Sequence, residues 1–135
     1  MADIFISYAK EDRSKVKKIA EALQQQGWSV FWDPVIPPGK TWREVLEEEL
    51  RNARCVIVVW SKQSVKSHWV NEEAEDGNSR GILVPIRIDP VSMPLGFRSV
   101  QAADLTDWDG RTTAPGFAIL LSSPKTWLKK LLNFK

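Results

Sequence analysis

The sequence predicts an α/β domain built on an open parallel sheet of five strands with helices on both faces, in the flavodoxin-like strand order 2-1-3-4-5. Three observations carry that prediction. Short apolar runs alternate along the chain with stretches whose apolar residues recur at helical spacing, the signature of repeated strand–helix units. The run Cys55 to Trp60 is apolar throughout, as a strand covered on both faces must be. Finally, 135 residues, 43% hydrophobic and 27% charged, suffice for one such core and not for two independent domains.

Each element has its own justification. Ile4, Phe5 and Ile6, ending at Ser7 and Tyr8, read as the first strand. From Asp12, the apolar residues Val16, Ile19, Ala20 and Leu23 fall at i, i+3, i+4 and i+7, and Gly27 stands as the stop of an amphipathic helix. Trp28 to Asp33 reads as the second strand. The segment Pro34-Val35-Ile36-Pro37-Pro38-Gly39 reads as a stiff, exposed loop, because its prolines lack the N–H that a helix or ladder needs. Thr41 and Glu44 fit a capping box opening a second helix, with Trp42, Val45, Leu46, Leu50 and Ala53 as its apolar face. Cys55 to Trp60 is the central third strand and Ser61 to Ser67 a polar loop. Trp69 to about Glu75 reads as a short helix, broken by Gly77, Asn78 and Gly81. Ile82 to Ile88 is the fourth strand, in which Pro85 suggests an edge or a bulge. Ala102 to Leu105 is a short fifth strand, and Phe117 to Leu132 a terminal helix interrupted near Pro124.

Charge and composition exclude several classes. Nineteen Lys and Arg against seventeen Asp and Glu leave a net charge of +2, too slight to imply a nucleic-acid partner. Cys55 is alone, so no intramolecular disulfide forms. No apolar run approaches the roughly 20 residues of a membrane span and no secretory segment opens the chain, which predicts a cytoplasmic domain. Lys125, Lys129, Lys130 and Lys135, interleaved with Trp127, Leu128 and Leu131, admit a membrane-touching tail, but a last helix over the sheet is the favoured reading.

Conventional catalytic sets are scarce. His68 is the single histidine and sits in a polar stretch beside Trp69, poor material for a Ser-His or Cys-His site. Cys55 opens an apolar strand, where a thiol is inert. Zinc finds few ligands, and neither dinucleotide nor P-loop glycine fingerprints occur, although Pro38-Gly39-Lys40-Thr41 ends like a phosphate loop. A phosphorelay receiver would need an acidic cluster near strand one and an acceptor Asp after strand three, where Trp60-Ser61 stands instead. What remains is Trp69 and Glu73, four residues apart and so on one helical face.

Five segments in register resemble the Toll/interleukin-1 receptor (TIR) domain family, especially its bacterial members. They are Asp3-Ile4-Phe5-Ile6-Ser7-Tyr8, Val30-Phe31-Trp32-Asp33 with the proline loop to Gly39, Val56 to Ser61, Trp69-Val70-Asn71-Glu72-Glu73, and Ile82 to Ile86. The resemblance runs from residue 3 to about 110, leaving 111–135 as the terminal helix or the start of a linker. It implies a flavodoxin-like fold that self-associates and, in many members, cleaves NAD⁺ at the nicotinamide–ribose bond; other members are non-catalytic scaffolds. The family's catalytic glutamate ends a W-x-x-x-E motif, which maps to Glu73 and leaves Glu72 outside.

That chemistry suits the residues present. Nicotinamide departs as a neutral pyridine, so no general acid is required, whereas most glycosidases need two carboxylates. Glu73 would hold the ribose hydroxyls and stabilise the oxocarbenium-like transition state, with Trp69 stacked on the pyridinium. The residues alone also permit an ordinary half-buried Trp and a solvated Glu. Trp42 stands where the family often carries a nucleotide-contacting aromatic, or is a core aromatic. Ser7, Tyr8 and Asp33 end strands one and two at the expected crevice and are candidate substrate contacts, Asp33 being equally a turn residue; Lys10 and Arg13 would face the diphosphate or solvent. Val35, Ile36, Pro37, Pro38 and Gly39 fall on the family's self-association loop, and seven tryptophans exceed the needs of one small core. The expected partners are NAD⁺, as substrate, and further TIR domains, with no cofactor and no metal. Bacterial immune signalling is the expected setting; the alternative is a non-catalytic interaction module or a virulence mimic of host adaptors.

Overall fold

The chain alternates β1 (Ile4–Ser7), α1 (Arg13–Gln25), β2 (Val30–Phe31), α2 (Trp42–Asn52), β3 (Cys55–Trp60), α3 (His68–Ser79), β4 (Leu83–Arg87) and β5 (Ala103–Asp104). The strands form one parallel sheet ordered β2-β1-β3-β4-β5, as predicted. This is a computed structural model, and it describes residues 2–98 and 102–108. The predicted terminal helix and the basic residues near the C-terminus lie outside the described residues.

Two apolar clusters sandwich the sheet. Because side chains alternate across a strand, Ile4, Ile6, Ile57 and Val59 face α1, where they meet Val16, Ile19 and Leu23. Phe5, Val56 and Val58 face the other way, onto Leu46 of α2 and Val70 and Ala74 of α3. Ser7 has the parity of Phe5, so it too points at α3. Burying each of the larger aliphatic side chains contributes about 1.5–3 kcal/mol, which anchors α1 and α3 to opposite faces. Gly27 ends α1 with φ +95°, a conformation glycine adopts without strain. The capping box forms: Glu44 N–H donates to Thr41 Oγ1 at 3.2 Å, and Thr41 N–H donates to Glu44 Oε2 at 3.1 Å.

Several elements depart from expectation. The second strand is Val30–Phe31 alone, not Trp28 to Asp33, because it is an edge paired only with β1 and the chain turns away at Trp32. The third helix does not end at Glu75; it begins at His68, capped by the Ser67 hydroxyl on Val70 N–H at 3.2 Å, and runs through Gly77 and Asn78 to Ser79. Gly77 serves packing there: a Cβ would lie 3.0 Å from Cβ of Val56, so only a glycine lets α3 sit this close to β3. Pro85 produces no bulge and pairs in register with Val58. Arg87 accepts from Leu105 N–H, so the odd residues of β4 turn their backbone groups toward β5, and β5 starts only at Ala103, opposite Ile86. The donor missing at Pro85 therefore falls where, among the described residues, no partner strand lies opposite it. The segment 61–67 includes a 3-10 turn at Ser64–Lys66 and is not simply a solvated loop. Ser61 and Ser64 are buried, with Ser61 donating to the buried Asp12 and Ser64 donating to Val59 O at 2.7 Å. Trp42 is 55% exposed and joins neither core cluster, which removes it from the apolar face assigned to α2. In the proline loop Val35 is 91% exposed whereas Ile36 is half-buried.

Candidate active site

A cleft of about 620 Å³ opens beyond the carboxyl ends of β1 and β3, where the winding of the sheet reverses. Tyr8, Lys10 and Arg13 wall it from the β1–α1 connection, Phe31, Trp32 and Asp33 from the end of β2, Trp42 and Leu46 from α2, and Trp69 and Glu73 from α3. The rings of Phe5 and Phe31, both lining it, stack with centroids 5.4 Å apart. The wall is apolar and aromatic, with a few convergent polar groups, as small-molecule sites generally are.

Glu73 is the unusual group. It is 3% exposed, not a solvated helix residue, and lies one turn after Trp69 on the α3 face turned to the sheet. Its Oε1 accepts the Ser7 hydroxyl at 2.6 Å, and its Oε2 has no hydrogen-bond partner. Burial pushes its pKa up to about 7, with the Ser7 hydroxyl and the Trp69 indole pulling downward and the neighbouring Glu72 adding to the rise. An unpartnered buried carboxyl oxygen costs free energy unless something uses it. A buried, perturbed carboxyl in a cleft is a candidate functional group.

The other predicted residues are brought to the same place, most with a partner inside the protein. Ser7 is 1% exposed and spends its hydroxyl on Glu73, behind the cleft surface. Tyr8 lines the cleft and donates to Trp32 O at 2.6 Å; burial raises its pKa, and the nearby Asp33 adds to that. Asp33 accepts from Arg13 at 2.5 Å, and the Arg13 guanidinium also lies over the Trp32 ring at 5.4 Å. Trp42 and Trp69 both line the cleft, from α2 and α3 respectively. The loop residues Val35, Ile36, Pro37, Pro38 and Gly39 are not among its lining residues. His68 is the first residue of α3, exposed, and bonds Glu72 at 2.9 Å. Cys55 is buried and its thiol is pushed well above the ordinary range by desolvation. Among the described residues no three His, Cys, Asp or Glu side chains group so as to hold a metal ion, and no helix is long and apolar enough to cross a membrane.

Two contacts escaped the sequence. The Ser7–Glu73 bond spans 66 residues, and its only trace was a serine closing an otherwise apolar strand on the face of Phe5. The guanidinium of Arg43 lies 5.1 Å from the centroid of the Trp69 ring, a contact between two helices with no local sequence signal.

With this five-stranded parallel sheet and a tryptophan-lined cleft at its switch point, the TIR domain family model matches residues 4–121, and the chain belongs to that family. It is 35% identical over 91 residues to the 2′ cyclic ADP-D-ribose synthase AbTIR of Acinetobacter baumannii, covering 62% of this chain and 34% of that protein. It is 30% identical over 91 residues to the NAD(+) hydrolase TcpA of a Theionarchaea archaeon, covering 62% and 28% respectively. The chain thus spans about a third of the length of the curated relatives it matches. Among solved structures it resembles the TIR domain of the Toll-related receptor TRR-2 of Hydra magnipapillata, with a TM-score of 0.71 and 25% identity over 79% of this chain and 86% of that one. The TIR domains of the activated Roq1 resistosome share the fold at a TM-score of 0.56 and 24% identity, covering 100% of this chain and 86% of that one.

Proposed function

We propose that this domain is an NAD⁺ nucleosidase that cleaves the nicotinamide–ribose bond, giving nicotinamide and either ADP-ribose or a cyclic ADP-ribose isomer. The observation that carries the reading is the buried Glu73, one oxygen held by Ser7 and the other free, beside Trp69 in an aromatic cleft. The names of the relatives, an NAD(+) hydrolase and cyclic ADP-D-ribose synthases, support it. The glycosidic C–N bond breaks with its electron pair staying on the pyridine nitrogen, so nicotinamide leaves neutral and the ribose carbon becomes cationic. The free oxygen of Glu73 holds the ribose hydroxyls and faces the growing positive charge in a site shielded from water, where a fixed carboxylate is most effective. Water captures the cation to give ADP-ribose; a nucleophilic atom elsewhere in the same substrate gives the cyclic product. Trp69 stacks on the departing ring and Trp42 closes over the nucleotide from α2. Tyr8 and Asp33 serve the substrate at the β1 and β2 ends, Asp33 once its bond to Arg13 yields. No cofactor is consumed beyond the substrate.

Nicotinamide measured chromatographically after incubation with NAD⁺ tests this. Glu73→Gln should lower release by about 10²–10³-fold or more with the circular dichroism spectrum unchanged, while Glu72→Gln retains activity. An active Glu73→Gln variant sinks the proposal.

We further propose that the domain acts in cytoplasmic immune or antiviral signalling, switched on by assembly through the segment 34–41. Its prolines limit the entropy lost on docking, and Val35, 91% exposed, offers apolar area. Docking there would shift the capped start of α2 and draw Trp42 inward. Specific activity should rise with protein concentration, and Ile36→Asp, at a half-buried position, should depress it. Specific activity that is flat over a wide dilution, with light scattering showing a monomer, separates catalysis from assembly. The exposed Val35 also favours the second reading, a non-catalytic TIR–TIR module or mimic of host adaptors, which predicts association without nicotinamide release.

A further inference from the structure

Arg43 sits in the first turn of α2, immediately after Trp42 and two residues past the capping threonine. Its guanidinium lies over the Trp69 ring at 5.1 Å from the centroid, and its Nε is held by Glu47 at 3.1 Å. Trp69 lines the cleft and Arg43 does not, so the guanidinium covers the ring from outside while the ring serves the cleft. Trp69 is otherwise fixed by its indole contact with Glu73 and by partial packing on the cluster around Val70 and Phe5. A half-buried indole at the start of a helix has other rotamers open to it, and a planar cation stacked on it removes some of them.

We infer that Arg43 is the positioning residue for Trp69, and that through it the loop before α2 governs the ring on which the nicotinamide stacks. This rests on the nucleosidase reading above. The connection is short: the 34–41 segment ends at the cap of α2, the cap fixes the first turn, and the first turn carries both Trp42 and Arg43. Any shift of the loop that rotates this turn moves Trp42 in the cleft and releases or clamps Trp69 across from it. Assembly and substrate stacking are then coupled through one cation–π contact, with no need for the loop to touch the substrate.

The test has two readouts. In protein labelled with 5-fluorotryptophan, the Trp69 resonance is identified by its loss in Trp69→Phe; Arg43→Ala should shift and broaden it, and Arg43→Lys should do so less. In NAD⁺ turnover, Arg43→Ala should raise KM about two- to fivefold with kcat little changed, Arg43→Lys should recover much of this, and Arg43→Ala should add nothing in a Trp69→Ala background. An unmoved resonance, an unchanged KM, or a KM effect that persists undiminished without Trp69 overturns the inference. If the wild-type protein releases no nicotinamide, the nucleosidase reading fails instead, and the fluorine resonance alone decides whether Arg43 pins the ring.

Discussion

The two ends of the sheet are built on opposite principles. At the amino end, polar groups are knitted together. Asp3 N–H donates to the Ser29 hydroxyl at 2.8 Å, Ser29 returns its own N–H and hydroxyl to the Asp3 carboxylate at 3.1 and 3.0 Å, and Arg54 reaches the same carboxylate at 3.6 Å. Arg80, just past α3, donates to the carbonyls of Leu50, Arg51 and Ala53 at 2.9, 3.0 and 3.2 Å, which closes the carboxyl end of α2. At the carboxyl end of the sheet, Glu73 is buried with one oxygen unpaired and Trp42 stands half out in solvent. The amino end holds the strands in register, and the carboxyl end carries groups that folding alone would not choose. Stability and the proposed chemistry occupy opposite ends of one sheet whose central strands are only about four to six residues long.

That contrast can be broken from either side. The largest expected effect comes from the unpaired carboxyl. Glu73 titrates at about 7 when folded against 4.5 ordinarily, so the folded protein keeps a proton that the unfolded chain has already lost. The stability tied to that proton is fully present below about 4.5 and lost as pH rises through about 7, a difference of about 3 kcal/mol. Urea unfolding at about pH 5 and about pH 8 should show the wild type weakening by roughly that amount, and Glu73→Gln weakening much less. Equal slopes in the two proteins would mean that the carboxyl is not desolvated. From the other end, Arg80→Met leaves three carbonyls without their cation and should cost about 1–3 kcal/mol in the same assay. Its kcat/KM, measured well below its melting temperature, should stay within about twofold of wild type. A collapse of turnover in a folded Arg80→Met protein would show that the two ends are not independent.

The smallest effect sharpens the contrast within the cleft. The Ser7 hydroxyl is the larger of the two contacts that lower the Glu73 pKa, so Ser7→Ala leaves desolvation opposed by the Trp69 indole alone. If the carboxylate is the working form, kcat/KM climbs with pH to a plateau above about 7, and Ser7→Ala should move that climb to higher pH by up to about one unit. A profile that stays in place would assign Ser7 to the substrate instead of to Glu73.

The division between the ends also explains what the sequence disclosed. Amphipathic spacing in α1, the Thr41–Glu44 cap and the continuous apolar run of β3 are local patterns, and each appears where it was read. From them follow the parallel sheet and the crevice at its switch point, and with those the convergence of Tyr8, Asp33, Trp42, Trp69 and Glu73. The errors came where tertiary contact overrides a local rule. Gly77 reads as a helix breaker until Val56 is seen lying beneath it, and Pro85 reads as an edge or a bulge until it is seen paired in register with Val58 inside the sheet. Ser7 gave no hint of its partner because a hydrogen bond across 66 residues leaves no spacing to detect. The burial of Asp12 against Ser61 was hidden for the same reason: both lie in stretches whose composition reads as solvated.

Gly77 bears on any attempt to improve this protein. Replacing a mid-helix glycine by alanine is a routine stabilising change, worth up to about 1 kcal/mol from helix propensity alone. Here the added methyl would meet the Val56 side chain at 3.0 Å and lever α3 outward by a few tenths of an ångström. Glu73 is four residues earlier on the same helical face, so the displacement is passed directly to a carboxylate held by one 2.6 Å bond. The missing side chain acts as a machinist's shim of zero thickness: it sets the distance of the carboxylate from β1, and a thermostability campaign that fills it would detune the proposed chemistry while reporting a firmer helix.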